Sequence, residues 1–243
     1  MTHSISTKKL SIIIPTYNEA DSIQALVHSI LSQKNEFIHQ IIIADSPAST
    51  DGTLEAARAI PDVLAVKSPY RGRSAQMNYG ASFATGDILY FVHADIQLHP
   101  DFCTDIQVAI QDGFHLGCYR YLFDTYPTPL LRINSFFTRF NKIWCRGGDQ
   151  TLFITKEAFS ALGGFRADYL IMEDYDILLR AQEARLAFKI IPKNVVVSAR
   201  KYSTNGYFKV QFANFTVMRM FLKGKYTQQE MAETYKKMLD YRN

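Results

Sequence analysis

The sequence predicts an α/β fold: a doubly wound, mainly parallel sheet flanked by helices and finished by a helical C-terminal extension. Three observations point there. Short β-branched runs recur at 10–14, 41–44 and 88–92 without polar alternation, the pattern of strands buried on both faces. Between the first two, Ile23, Leu26, Val27, Ile30 and Leu31 fall at the spacing of an amphipathic helix. Strand and helix then keep alternating to about residue 200, with no repeat or low-complexity linker.

The elements follow in order. The first strand, 10–14, runs into Pro15. Asn18 is placed to cap the next helix, with Glu19 and Asp21 in the first turn, where the helix dipole favours acids. The second strand ends near Asp45, and a helix is expected after Thr50-Asp51-Gly52-Thr53. Another spans 74–85, stopped by Gly86-Asp87. Residues 115–123 read as strand, 130–142 as helix and 151–154 as strand. Gly163-Gly164-Phe165 is a turn, and 174–184 a helix with Ile177, Leu178 and Ala181 at core spacing. A last short strand is expected at 195–198. From Gly206 the pattern is helical, with a break at Gly224, which divides the chain into a main domain, 1–205, and an extension, 206–243.

Composition sets outer limits. The 243 residues are 47% apolar, 21% charged and 13% aromatic, values of a globular chain that exclude disorder, collagen and coiled-coil repeats. Cys103, Cys118 and Cys145 are odd in number and form no Cys-x-x-Cys pair, against a disulfide framework or structural zinc and for a reducing, cytoplasmic setting. Lys8 and Lys9 precede only a short apolar run, so no signal peptide is expected, and no stretch reaches the roughly 18–20 apolar residues of a membrane span. The net charge of +4 is uneven. Residues 1–199 carry 18 Lys/Arg against 20 Asp/Glu, whereas 200–243 carry 9 against 3.

The polar residues are informative by position. Each buried run ends in polar groups: Pro15-Thr16-Tyr17-Asn18-Glu19, Asp45-Ser46 and His93-Ala94-Asp95. Open α/β sheets bind ligands outside the carboxyl ends of their strands, so the three clusters are expected to form one site. The dinucleotide fingerprint and the phosphate loop ending in Gly-Lys-Ser/Thr are both absent. Asp95, with His99 and Asp101 after it, offers hard oxygen for Mg²⁺ or Mn²⁺, ions usually held by one or two carboxylates plus substrate phosphates. Arg71 and Arg73, on a Gly-containing loop, are placed to meet such phosphates. Glu173 and Asp174 open a helix. Asp174 is either a cap or a general base facing the crevice, its basicity raised by Glu173 beside it.

These residues carry a family likeness. The chain resembles the family 2 inverting glycosyltransferases of the GT-A fold, through Ile12-Ile13-Ile14-Pro15-Thr16-Tyr17-Asn18-Glu19, Asp45 with Ser49-Thr50-Asp51-Gly52-Thr53, and Arg71-Gly72-Arg73 running to Gln76-Met77-Asn78. His93-Ala94-Asp95, Gly163-Gly164-Phe165 and Glu173-Asp174-Tyr175-Asp176 follow in the family's order, and the Arg-Gly-Arg run with His-Ala-Asp is similar to the bacterial subgroup labelled arsenosugar-biosynthesis glycosyltransferases. The resemblance implies a nucleoside-diphosphate sugar donor, most often UDP-linked, and an acceptor hydroxyl it does not identify. It sets Pro15, Thr16, Tyr17 and Glu19 around base and ribose, Asp45 on the base edge and Arg71 near base or diphosphate. His93 and Ala94 would border the nucleotide, Asp95 would hold the divalent cation, and Asp174 would be the catalytic base with Glu173 beside it. His93 stands where the family has an aspartate, and either a ligand or a structural histidine fits there. The residues also admit a non-catalytic nucleotide-sugar-binding module or a nucleotidyltransferase.

Two regions allow further expectations. Gly147-Gly148-Asp149-Gln150 suits a loop under the donor sugar, since paired glycines permit close approach. In the extension, Phe208, Phe212, Phe215, Met218 and Leu222 recur at helical spacing among Lys209, Arg219, Lys223 and Lys225. Such a face fits an anionic membrane surface or, more plainly, packing onto the domain or a homodimer partner. Nucleic acid is disfavoured, because the main domain is slightly acidic and has no basic stripe.

Overall fold

A computed structural model describes residues 8–33 and 36–240. Strand β1 (Leu10–Thr16) is buried along its whole length. Its isoleucines divide by strand periodicity: Ile12 and Ile14 join one core cluster, and Ile13 the other. Helix α1 (Ala20–Ser32) covers the first face with Ile23, Leu26, Val27 and Ile30. β2 (Ile38–Asp45), α2 (Thr53–Arg58), β3 (Val63–Lys67), α3 (Arg73–Ser82) and β4 (Ile88–Phe91) complete a parallel unit. α3 lies so close to the second face that a Cβ at Gly80 would stand 2.6 Å from Ile13. Each fully buried isoleucine of this kind contributes about 1.5–3 kcal/mol.

The second half adds β5 (Ile96–Gln97), α4 (Phe102–Gln111), β6 (Leu116–Phe123), α5 (Leu131–Phe137), β7 (Leu152–Thr155), α6 (Lys156–Ala161), α7 (Glu173–Glu183) and β8 (Phe188–Val197). The described strands form one sheet in the order β3-β2-β1-β4-β7-β6-β8-β5. β7 is antiparallel to both β4 and β6, and β5 is antiparallel to β8, while the other pairs are parallel. The sequence-predicted class, a mainly parallel sheet between helices, is what the structure has. The strand order reverses beside β1 and β4, and the site lies outside that switch point.

Several local expectations need correction. Asn18 does not cap α1; at φ 53° it accepts a hydrogen bond from Thr50 N, and the free amides of Glu19 and Ala20 are taken by Thr53 Oγ1 and Asp51 Oδ2 from the next loop. The helix expected at 130–142 stops at Phe137. The short last strand is in fact ten residues long, because β8 continues through a bulge at Pro192-Lys193, where its register against Tyr119 and Arg120 shifts. β3, β5, α4 and α6 were not foreseen.

Helices α8 (Arg200–Thr204), α9 (Tyr207–Lys223) and α10 (Gln228–Met238) follow β8. α9 ends at Gly224 in the left-handed region, and Thr227 with Glu230 forms a capping box on α10. Val210, Ala213 and Val217 are the buried face of α9, so Phe208, Phe212, Phe215 and Leu222 are exposed. The aromatic face therefore is not the one that packs on the domain.

Candidate active site

The carboxyl ends of the parallel strands are stitched together before any ligand arrives. Asp45, at the end of β2, is buried, and its Oδ1 accepts from Thr16 Oγ1 at 2.8 Å and Ser49 Oγ at 2.7 Å. Gln76, buried on α3, donates to the carbonyls of Thr16 and Ala44. Pro15 and Thr16 are buried at the end of β1, and Tyr17 just after them is 57% exposed. Arg71 is exposed on the loop before α3.

β4 delivers His93, Ala94 and Asp95. Ala94 is buried; Asp95 is partly exposed, with Arg200 Nη2 of α8 at 3.9 Å from its Oδ2 and 4.0 Å from Glu19 Oε1. Burial and the nearby Asp149 carboxylate push the Asp95 carboxyl above its ordinary range, against the pull of Arg200 and Arg73. Glu19 is raised as well, first by burial and also by Asp95. His99 and Asp101 do not join this group: Asp101 and Asp105 share the Lys193 ammonium, at 2.8 and 2.7 Å. No set of three His, Cys, Asp or Glu side chains shaped to hold a metal occurs among the described residues.

α7 brings the second acidic pair. Its N-terminal flank is Met172 in the left-handed region, so Asp174 lies inside the first turn and is not the cap. Arg73, the first residue of α3, donates from Nε to Glu173 Oε1 and from Nη2 to Asp174 Oδ2, the latter at 3.1 Å. It is consequently a clamp on two carboxylates rather than a free phosphate arm. Glu173 is buried, and its Oε2 has no hydrogen-bond partner. Burial alone would raise the Glu173 carboxyl; Arg73 more than reverses that and holds it ionised. Asp174, 13% exposed, goes the other way. Burial dominates, and with Glu173 and Asp149 outweighs Arg73 to push it up to about 7. Two adjacent carboxyls are thereby split, one firmly ionised and one poised near neutrality.

Gly148 lies against Asp174 and His93. A Cβ there would lie 2.4 Å from Asp174 Oδ2 and 2.7 Å from the His93 ring, so the backbone is pressed against both side chains. Tyr175 Oη, donating to the Arg146 carbonyl at 2.6 Å, ties this loop to α7. Burial and Arg73 push His93 down to about 4, leaving a neutral imidazole at pH 7. Asp149 and Arg73 each act electrostatically on both Asp95 and Asp174, so the two acidic groups share these charged neighbours. Arg200 and the clamping role of Arg73 are not legible in the sequence, and Asp149 is marked there only as part of the loop expected under the donor sugar. A cation three residues past the end of β8 is the one local signal for Arg200.

An open, mainly parallel α/β sheet with carboxylates near the switch point is the arrangement of the GT-A fold, and the comparisons agree on that fold. The solved mannosyltransferase PcManGT of Pyrobaculum calidifontis, in complex with GDP-Man and Mn²⁺, superposes with a TM-score of 0.68 at 18% identity, over 96% of this chain and 70% of that one. Glucosyl-3-phosphoglycerate synthase of Mycobacterium tuberculosis, with Mn²⁺, UDP-glucose and phosphoglyceric acid, gives 0.59 at 17% identity, over 85% and 78%. In sequence, the uncharacterised glycosyltransferase YibD of Escherichia coli strain K12 is 27% identical over 233 residues, 90% of this chain. This chain spans 66% of that relative's own length. Residues 11–167 match glycosyl transferase family 2, and the chain belongs to that family.

Proposed function

We propose that this glycosyltransferase moves a sugar from a nucleoside-diphosphate donor, UDP-linked, to an acceptor hydroxyl with inversion of configuration. The observation that carries this is the split acidic pair: Arg73 fixes Glu173 as an ion while burial leaves Asp174 basic enough to take a proton near pH 7. Arg73 and Gly148 enclose Asp174 Oδ2, so Oδ1 is the oxygen offered to the acceptor. Deprotonation there accompanies attack on the anomeric carbon, opposite the leaving diphosphate. Glu173 is a positioning residue, since its carboxylate orients Arg73 and through it Asp174.

On the donor side, Pro15, Thr16 and Tyr17 line the approach of base and ribose, and Asp45 is held ready for the base edge by Thr16 and Ser49. Glu19, His93 and Ala94 border the same cleft, with Arg71 at its edge. A divalent cation, Mn²⁺ or Mg²⁺, fits this donor set. Asp95 is an accessible carboxylate crowded by Asp149 and Glu19, an excess of negative charge that a bound divalent cation would relieve. Such an ion supplies Lewis-acid stabilisation of charge on a departing diphosphate. Arg200 lies where it adds positive charge to the same group. The solved neighbours carry GDP-mannose in one case and UDP-glucose in another, and a donor panel should for that reason set GDP-sugars beside the proposed UDP-linked donor.

The run from Arg71 to Asp95 supports membership of the arsenosugar-labelled subgroup, residues 1–205 are proposed as the catalytic unit with 206–243 as its extension, and the setting is proposed to be cytoplasmic. A thermal-shift panel of UDP-, GDP- and dTDP-sugars with and without Mn²⁺ tests the assignment. One donor should stabilise the protein in a metal-dependent way, because stabilisation grows with ligand concentration over Kd. No shift with any of them overturns it.

A further inference from the structure

Every exposed phenylalanine among the described residues lies in one of two places: Phe136, Phe137 and Phe140 on and just after α5, or Phe208, Phe212 and Phe215 on α9. The chain's only tryptophan, Trp144, 65% exposed, follows the first group. Monomer surfaces rarely leave so many large aromatic rings in water. These same stretches contain no acid. Residues 125–148 hold Arg132, Arg139 and Lys142 at the surface and a buried Arg146 with no Asp or Glu, and residues 184–229 hold nine Lys/Arg with none, of which Lys193, Arg200 and Lys209 face carboxylates elsewhere in the chain.

The two stretches adjoin. Tyr207 Oη, in the first turn of α9, donates to Asn134 Oδ1 of α5 at 2.9 Å, and Tyr207 is in edge contact with Phe208. The buried face of α9 fixes its rotation, so Phe208, Phe212, Phe215 and Leu222 cannot turn inward without unpacking Val210, Ala213 and Val217. Arg139 lies over the Phe136 ring at 4.0 Å, and Arg219 over Phe215 at 5.7 Å. Lys209 is already paired with Asp240 and is not counted here; Arg219, Lys223 and Lys225 are exposed. Rings that enter the acyl boundary beneath guanidinium and ammonium groups at phosphate level are the chemistry of an interfacial surface.

We propose that this cationic aromatic face docks on an anionic lipid bilayer. Charge argues against a second copy as its occupant. A two-fold contact would set the cations of these stretches against themselves, with Asp240, already paired to Lys209, as the carboxylate beside them. The proposal rests on the surface alone and does not depend on the transfer chemistry above.

The test is co-sedimentation of the full chain with phosphatidylcholine vesicles and with phosphatidylcholine–phosphatidylglycerol vesicles. Binding is expected only to the anionic vesicles and is expected to weaken in high salt. Phe208→Ser/Phe212→Ser/Phe215→Ser and Phe136→Ser/Phe137→Ser/Phe140→Ser should each lower the partition coefficient about tenfold, with circular dichroism and urea midpoint unchanged, and Arg219→Glu/Lys223→Glu should do the same. Absence of binding, or binding indifferent to these variants, overturns the proposal. So does light scattering that finds a dimer abolished by the phenylalanine variants, or a single-stranded oligonucleotide whose binding depends on them.

Discussion

Arg73 Nη2 lies 3.1 Å from Asp174 Oδ2 although 101 residues separate them, and the same guanidinium reaches Glu173 through Nε. One cation thus joins the start of α3 to the start of α7, two of the helices that close the second face of the sheet. Its charge is unequally useful to the two acids. Glu173, deeper, needs it to remain ionised; Asp174, nearer the opening, escapes full stabilisation and keeps its proton affinity. The clamp creates a fixed ion and a titratable base from neighbouring residues.

Removing the clamp should therefore destabilise the fold through Glu173. Arg73→Ala leaves a buried carboxylate without its counter-ion, one oxygen of which is already unpartnered. Arg73 itself is 43% exposed, so water screens part of the effect, and a loss of about 1–3 kcal/mol is expected. Urea unfolding measures it. Adding Glu173→Gln should restore much of the loss; no recovery in the double variant would mean that the pair is not what holds the two helices.

Asp174→Asn keeps shape and loses basicity. With Asp174 in the proposed role of base to the acceptor, donor binding should persist while transfer falls roughly 10²–10⁴-fold. Isothermal titration with donor and Mn²⁺ reads the first quantity, and product formation the second. Unchanged turnover removes Asp174 from the role of base.

Gly148→Ala tests the close approach. The added methyl would overlap both Asp174 Oδ2 and the His93 ring, and a displacement of about 1 Å at a reacting group can cost 100-fold. The expected signature is a fall in kcat of that order with little change in donor KM or in thermal stability. A variant with parental kcat would mean that the loop yields freely and does not position Asp174.

Asp95→Asn addresses the cation. If Asp95 supplies the protein's carboxylate to the metal, the variant should lose the Mn²⁺-dependent part of donor stabilisation and keep any metal-independent part. A thermal-shift titration with and without Mn²⁺ separates the two. Retention of the full metal increment would move the cation to Asp149 or Glu19.

How much of this was legible beforehand follows from the range of each interaction. β1, β2 and β4 were readable because burial on both faces writes an unbroken apolar run, and Asp45, Asp95 and Asp174 because they stand just beyond strands or at a helix start. The Arg73 clamp was not, since nothing local to residues 71–73 records a carboxylate a hundred positions away. The cap on α1 failed for the same reason: Asp51 and Thr53 displaced the nearby Asn18. β8 looked short because Pro192 and Lys193 interrupt its pattern, and only the partner strand reveals the bulge. α9 is apolar on opposite faces, Val210-Ala213-Val217 and Phe208-Phe212-Phe215, and spacing alone could not tell which one turns inward.

The raised Asp174 carboxyl has consequences for both activity and stability, of opposite sign. As a base it works only when deprotonated, so kcat/KM should climb with slope one as pH rises and level off above an apparent pKa of about 7. Stability should move the other way. The folded protein holds this proton more tightly than the unfolded chain, so between the ordinary carboxylate range and about pH 7 the native state binds more protons at this site. Its contribution to the unfolding free energy is then largest at the acid end of that window and declines as pH approaches 7. Asp174→Asn, which carries no titrating proton, should flatten this decline. Urea midpoints of parent and variant across pH 5 to 8 measure the difference, and parallel curves would place the titration on another group.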